Sequence, residues 1–260
     1  MRFGVCTAPD NLLILERAGY DYIELSVAGH LKPEQPEAEV MPGLIPLIDD
    51  SRLKAETYNV LLPGDIKVVG DSIDVQRQTD YLHVAFRRAA SIGGKVLVFG
   101  SAGSRSIPDG CAPLTARRQV EEFLALAGGI AEANGLCIAI EPLNTRECNH
   151  INSVSEAFEI AEAVGLPTVG VLADLYHITA EGQSLEETAR AASRLLHVHV
   201  AGASDRRAPN TDDVPFLIPF FRILKSIGYA GRVSVEGNWT DLESQASETL
   251  DTLRSAWDAA

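Results

Sequence analysis

The stretch LCIAIEPLN, residues 136–144, decides how the chain is read. Its apolar run, LCIAI, stops abruptly at Glu141 and Pro142. A short run without strict polar alternation has the pattern of a strand buried on both faces, as in a parallel sheet covered by helices. Seven other runs share that character: RFGVCTA (2–8), YIELSV (22–27), LKAETYNVLL (53–62), KVLVFGSA (95–102), TVGVLADLY (168–176), LLHVHVAG (195–202) and RVSVEGN (232–238).

Helical patterns fall between these runs. NLLILERAGY (11–20) follows the first, and DVQRQTDYLHVAFRRAASIGG (74–94) follows the third, with apolar residues at helical spacing and a double-glycine stop. TARRQVEEFLALAGGIAEANG (115–135) follows the fourth. SVSEAFEIAEAVG (153–165) opens on a capping box, Ser153 to Glu156, and SLEETARAASR (184–194) repeats the device from Ser184 to Glu187. VPFLIPFFRILKSIGYAG (214–231) and DLESQASETLDTLRSAW (241–257) complete the set. PEAEVMPGLIPLIDDS (36–51) is the weakest helical interval, because prolines interrupt it.

Eight strand-then-helix units predict an α/β fold, a (β/α)8 TIM barrel, and 260 residues suit one such domain spanning 1–260. An open doubly wound sheet would carry a glycine-rich phosphate turn after an early strand. The turn after the first strand here reads TAPDN, and no strand is followed by GxGxxG or GxxxxGK[ST].

The formal net charge of −14 argues against a nucleic-acid partner. Cys6, Cys111, Cys137 and Cys148 form no CxxC pair and read as free thiols in a reducing compartment. The N-terminus lacks the charged start and apolar stretch of a signal peptide, and no segment approaches the ~20 apolar residues of a membrane span. A cytoplasmic protein with no membrane partner is expected.

A barrel of this kind carries its active site at the C-terminal ends of the strands. The fifth run ends in Glu141, the sixth in Asp174, and the eighth in Glu236; the seventh carries His197 and His199. The two histidines share one face of their strand, and His199, nearer the C-terminal end, is the one expected at the mouth, with His197 buried as a support. Neighbouring strands would bring the three carboxylates within a few ångströms, an arrangement that needs a compensating cation. Three carboxylates and one imidazole suit one divalent ion such as Mn²⁺, Mg²⁺ or Co²⁺, and the absence of cysteine argues against structural zinc.

The motifs EPLNTRE (141–147), DLYH (174–177), HVHVAGASDRR (197–207) and VEG (235–237) resemble the xylose-isomerase-like TIM barrel superfamily and, within it, the sugar phosphate isomerase/epimerase branch that includes the D-tagatose and D-psicose 3-epimerases. The resemblance implies that Glu141, Asp174, His199 and Glu236 are metal ligands, that Glu141 and Glu236 are also the catalytic acid/base pair, and that Glu147, His177 and Arg206 bind substrate, with Asn144 in support. It implies a small sugar as substrate and a homodimer or homotetramer. The loop ASDRR is one residue longer than the epimerase form, which leaves Arg206 and Arg207 open as the substrate arginine, and Ala203 or Ser204 stands near the place of that form's glutamate.

Such a site favours proton transfer through an enediolate stabilised by the cation. One carboxylate removes a proton beside a carbonyl; a second returns it to the opposite face, or to the neighbouring carbon. A dehydratase of an inosose or a dehydroshikimate-like acid is the alternative on the same barrel. An endonuclease IV-like enzyme needs further histidines, and none stands at Tyr58–Asn59, at Phe99–Ser101 or in the DRRAPN stretch. A non-enzymatic sugar- or metal-binding barrel is the third alternative. Glu24, Asn59 and Trp239 are secondary candidates at the mouth, Arg105, Arg206 and Arg207 are loop cations able to meet a phosphate, and His30, His83 and His150 are not expected to be ligands.

Overall fold

In the computed structural model, which describes residues 1–260, eight parallel strands close into a barrel in chain order. They are β1 (Arg2–Cys6), β2 (Tyr22–Ser26), β3 (Ala55–Asn59), β4 (Val96–Phe99), β5 (Cys137–Ile140), β6 (Val169–Asp174), β7 (Leu195–Val200) and β8 (Arg232–Val235). Each is shorter than its apolar run. β3 stops where Val60 turns to φ 48°, and β4 stops before Ser101 at φ 36°, so the backbone itself ends the ladder. No helix is long and apolar enough to cross a membrane. All four cysteines are free thiols.

The main core lies between the barrel and its helices, a continuous cluster of 64 buried apolar residues. The inside of the barrel is divided. Val96, Val98, Ala139 and Leu172 form a separate apolar patch. Across from them Glu24 of β2 meets His197 of β7, a contact between strands that are not neighbours and so must run through the lumen. The N-terminal end is closed by Glu56, which holds Arg2 of β1 and Arg232 of β8.

Gly4 makes room for this polar half. A Cβ there would stand 2.4 Å from the ring of Tyr22, whose hydroxyl meets Ser234 Oγ at 2.8 Å. We expect Gly4→Ala to destabilise the fold by about 1–3 kcal/mol, the usual cost of overpacking. A urea unfolding midpoint equal to that of the unaltered chain would contradict this.

Two local expectations change and one holds. The interval weakened by prolines is one helix, Glu37–Asp49, with Pro42 and Pro46 inside it. Both prolines are exposed, and so is Ala38, so the carbonyls of Ala38 and Pro42, which lose their helical donors, belong to exposed residues. The Ser153–Glu156 capping box forms at the helix Val154–Val164. The second box does not: the helix there is Glu186–Arg190, Ser184 Oγ accepts from the N–H of Glu186, and the Glu187 carboxylate accepts from the N–H of Ser155.

Candidate metal and active site

Four polar side chains converge at the C-terminal mouth. The register of β6 and β7 sets Asp174 beside His199. Glu141 and Glu236 each follow the last residue of a strand, and their N–H groups still join the ladder, donating to Phe99 O at 3.2 Å and Val200 O at 3.0 Å. One donor atom from each of Glu141, Asp174, His199 and Glu236 lies within 4.8 Å of all the others. His199 presents Nδ1 to this cluster, 3.3 Å from Glu141 Oε1 and 3.6 Å from Glu236 Oε2.

Asp174 also ends its strand. Its Oδ1 accepts from the N–H of Tyr176 at 2.7 Å and caps the helix Leu175–Ala180. That helix carries His177. Its Nδ1 accepts from the backbone N–H of Asn144 at 3.1 Å, so the ring hydrogen sits on Nε2. His177 Nε2 is buried, has no hydrogen-bond partner, and lies 3.7 Å from Asp174 Oδ2. Asn144 also donates to Glu147 Oε1 at 2.7 Å, which makes it the joint between the loop after β5 and the helix after β6.

The loop after β7 separates the two arginines. Arg206 adopts φ 54°, which turns its side chain toward the mouth. There it donates to Glu236 Oε2 at 2.5 Å and to Glu147 at 3.1 Å, with its guanidinium 5.1 Å from the Tyr176 ring centre. Arg207 binds Asp213 and the carbonyl of Ala208, away from the cluster. Of the pair left open by sequence, Arg206 is the one beside the carboxylates. Arg105 is not a loop cation in water but fully buried, donating to the carbonyls of Gly100 and Glu141. Asn59 reaches the mouth and donates to Glu236 Oε1 at 3.1 Å.

The electrostatics show strain among the acids. Burial, and then the neighbouring Glu236, push the Glu141 carboxyl above its ordinary value. Burial acts the same way on Glu236, but His199 and Arg206 outweigh it and hold that carboxyl down to about 2. A divalent cation would relieve this crowding, and the oxygen-rich donor set with one imidazole nitrogen fits one. A second grouping, Cys6 with Glu24 and His199, fits poorly. Burial first, and Glu24 next, push the Cys6 thiol well up, and Glu24 already accepts hydrogen bonds from four side chains.

A cavity of about 560 Å³ opens beside Glu236, with Thr7, Ser26, His30, Asn59 and Asn238 in its wall. His30 accepts from the N–H of Ser26 through Nδ1, which leaves Nε2 as a donor in this wall. Its place there was invisible in sequence, where nothing linked it to the strand ends. Trp239 packs against the core instead of lining the cavity.

A family model described as xylose isomerase-like TIM barrel matches residues 12–256. An L-ribulose 3-epimerase of Methylomonas sp. is 27% identical over 246 residues, 93% of this chain and 82% of that protein. A protein of Synechocystis sp. described as a probable ketose 3-epimerase is 31% identical over 135 residues, so that match spans 50% of this chain and 46% of the relative. Among solved structures, D-psicose 3-epimerase from Clostridium cellulolyticum H10 superposes with a TM-score of 0.85 over 99% of both chains at 18% identity, a likeness of fold.

Proposed function

Because this chain belongs to the xylose isomerase-like TIM barrel family, we propose that it is a sugar epimerase or isomerase that holds one divalent metal ion and moves a proton on a carbon next to a carbonyl. The observation that carries this reading is the convergence of Glu141, Asp174, His199 and Glu236 within 4.8 Å at the barrel mouth. Relatives named as epimerases support the same reaction class.

Glu141, Asp174, His199 and Glu236 would hold Mn²⁺, Mg²⁺ or Co²⁺, and the ion would supply Lewis-acid polarisation of the substrate's carbonyl and hydroxyl. The protein does the rest. Glu141 and Glu236 come from β5 and β8, with β6 and β7 between them, and form the acid/base pair on the reacting carbon. Asn59 and Arg206 fix the Glu236 carboxylate from two sides. The buried Nε2–H of His177 is available to a substrate oxygen, and Arg206 with Glu147 forms a donor and acceptor pair for hydroxyls.

The test is a screen of free and phosphorylated ketoses with Mn²⁺, scoring each product. An epimer or positional isomer is expected, with turnover lost on treatment with EDTA and restored by Mn²⁺. A product lighter by one water would assign the dehydratase chemistry instead. A chain that binds no divalent cation and converts no sugar would overturn both readings.

A further inference from the structure

We propose that Glu24 is a positioning residue that makes His199 a metal ligand through Nδ1. The inference rests on the reading of His199 as part of a metal site. It concerns a residue in the barrel lumen, beneath the four side chains already described.

Glu24 is fully buried. A carboxylate so placed is tolerated only when its oxygens are well matched by donors. Oε2 accepts from Thr57 Oγ1 at 2.8 Å, Ser234 Oγ at 2.5 Å and His197 Nε2 at 2.8 Å, while Oε1 accepts from His199 Nε2 at 3.0 Å. Tyr22 completes the set by hydrogen bonding to Ser234 Oγ. Since Ser234 spends its own hydrogen on Glu24, the Tyr22 hydroxyl is the donor in that pair.

An ionised carboxylate only accepts. Both histidines therefore direct an Nε2–H at Glu24. For His199 this leaves Nδ1 as the nitrogen a bound cation would take, and Nδ1 is the atom facing Glu141 and Glu236. The ring plane is fixed as well, because His197 packs edge-on against it with centroids 4.9 Å apart at 83°. A carboxylate behind a ligating imidazole sets its tautomer, orients it and strengthens it as a donor. Without Glu24, the ring could present either nitrogen or rotate away from the mouth.

The decisive comparison is Mn²⁺ affinity, followed by titrating Mn²⁺ and reading the free ion by electron paramagnetic resonance. Glu24→Gln is expected to bind Mn²⁺ about 10–100-fold more weakly than the unaltered protein. Thr57→Val removes a hydrogen bond from the same carboxylate without touching His199, and should keep its affinity. Equal Mn²⁺ affinity in Glu24→Gln, with only a lower melting temperature, would make Glu24 a buried structural acid and overturn the inference. If the unaltered protein binds no Mn²⁺, the metal site itself fails and this inference falls with it. A readout without substitution covers the case of a variant that does not fold. In the ¹⁵N-histidine-labelled protein loaded with Mg²⁺, His199 should show a protonated Nε2 and an unprotonated Nδ1. The reverse assignment overturns the proposal.

Discussion

Glu141→Gln should lower kcat by about 10²–10⁴-fold at saturating Mn²⁺, and Glu236→Gln by a similar factor, the range typical of losing a general acid or base. The amide keeps the shape of the carboxylate but takes up no proton at working pH. Both residues sit where their carboxyls meet the same imidazole, at 3.3 and 3.6 Å from His199 Nδ1. Because the two act on one proton path, the double variant should cost much less than the product of the single losses. Turnover in D₂O separates this role from simple metal binding. With the metal sites filled, each variant should lose deuterium exchange from the epimer whose hydrogen faces the replaced carboxylate and keep exchange from the other epimer. A variant that exchanges both epimers at the unaltered rate has no part in proton transfer.

Gly100→Ala should lower kcat by about 10²-fold, the penalty of misplacing a reacting group by roughly an ångström. A Cβ at Gly100 would lie 2.2 Å from Glu141 Oε2 and 3.3 Å from its Cδ. The backbone at Gly100 has no positive φ, so alanine is objectionable there only for its volume. Relief cannot readily come from the main chain, since Arg105 ties the carbonyls of both Gly100 and Glu141, at 2.6 and 2.7 Å. The carboxylate of Glu141 must move instead. Circular dichroism and a melting curve should show the fold retained while kcat falls. A Gly100→Ala enzyme with unaltered kcat would show that Glu141 has slack the geometry does not suggest.

Much of the fold was legible from local pattern. Short runs such as LCIAI and LLHVHV have the composition of strands buried on both faces, and eight of them separated by helical spacing leave few ways to close a sheet. Polar residues at the ends of such runs stand out because burial elsewhere makes them costly, and that is why Glu141, Asp174, His199 and Glu236 could be picked out together before their distances were known. The Ser153–Glu156 box was legible for the same local reason, whereas Ser184–Glu187 failed because Glu187 found the N–H of Ser155, far away in sequence.

What tertiary structure alone decided follows from direction and distance. One backbone angle, φ 54° at Arg206, sends one of two adjacent arginines to the carboxylates and the next to Asp213. Gly100 matters through the space it leaves for Glu141, and Arg105 through two carbonyls it holds in the interior. Glu24 and His199 lie 175 positions apart, and only closure of the barrel puts one carboxylate behind the other's ring. By itself the sequence determined which strand ends carry the carboxylates and the imidazole, because strand length and periodicity are local properties. Which atoms face one another there depended on the lumen, where every side chain is positioned by partners from other strands.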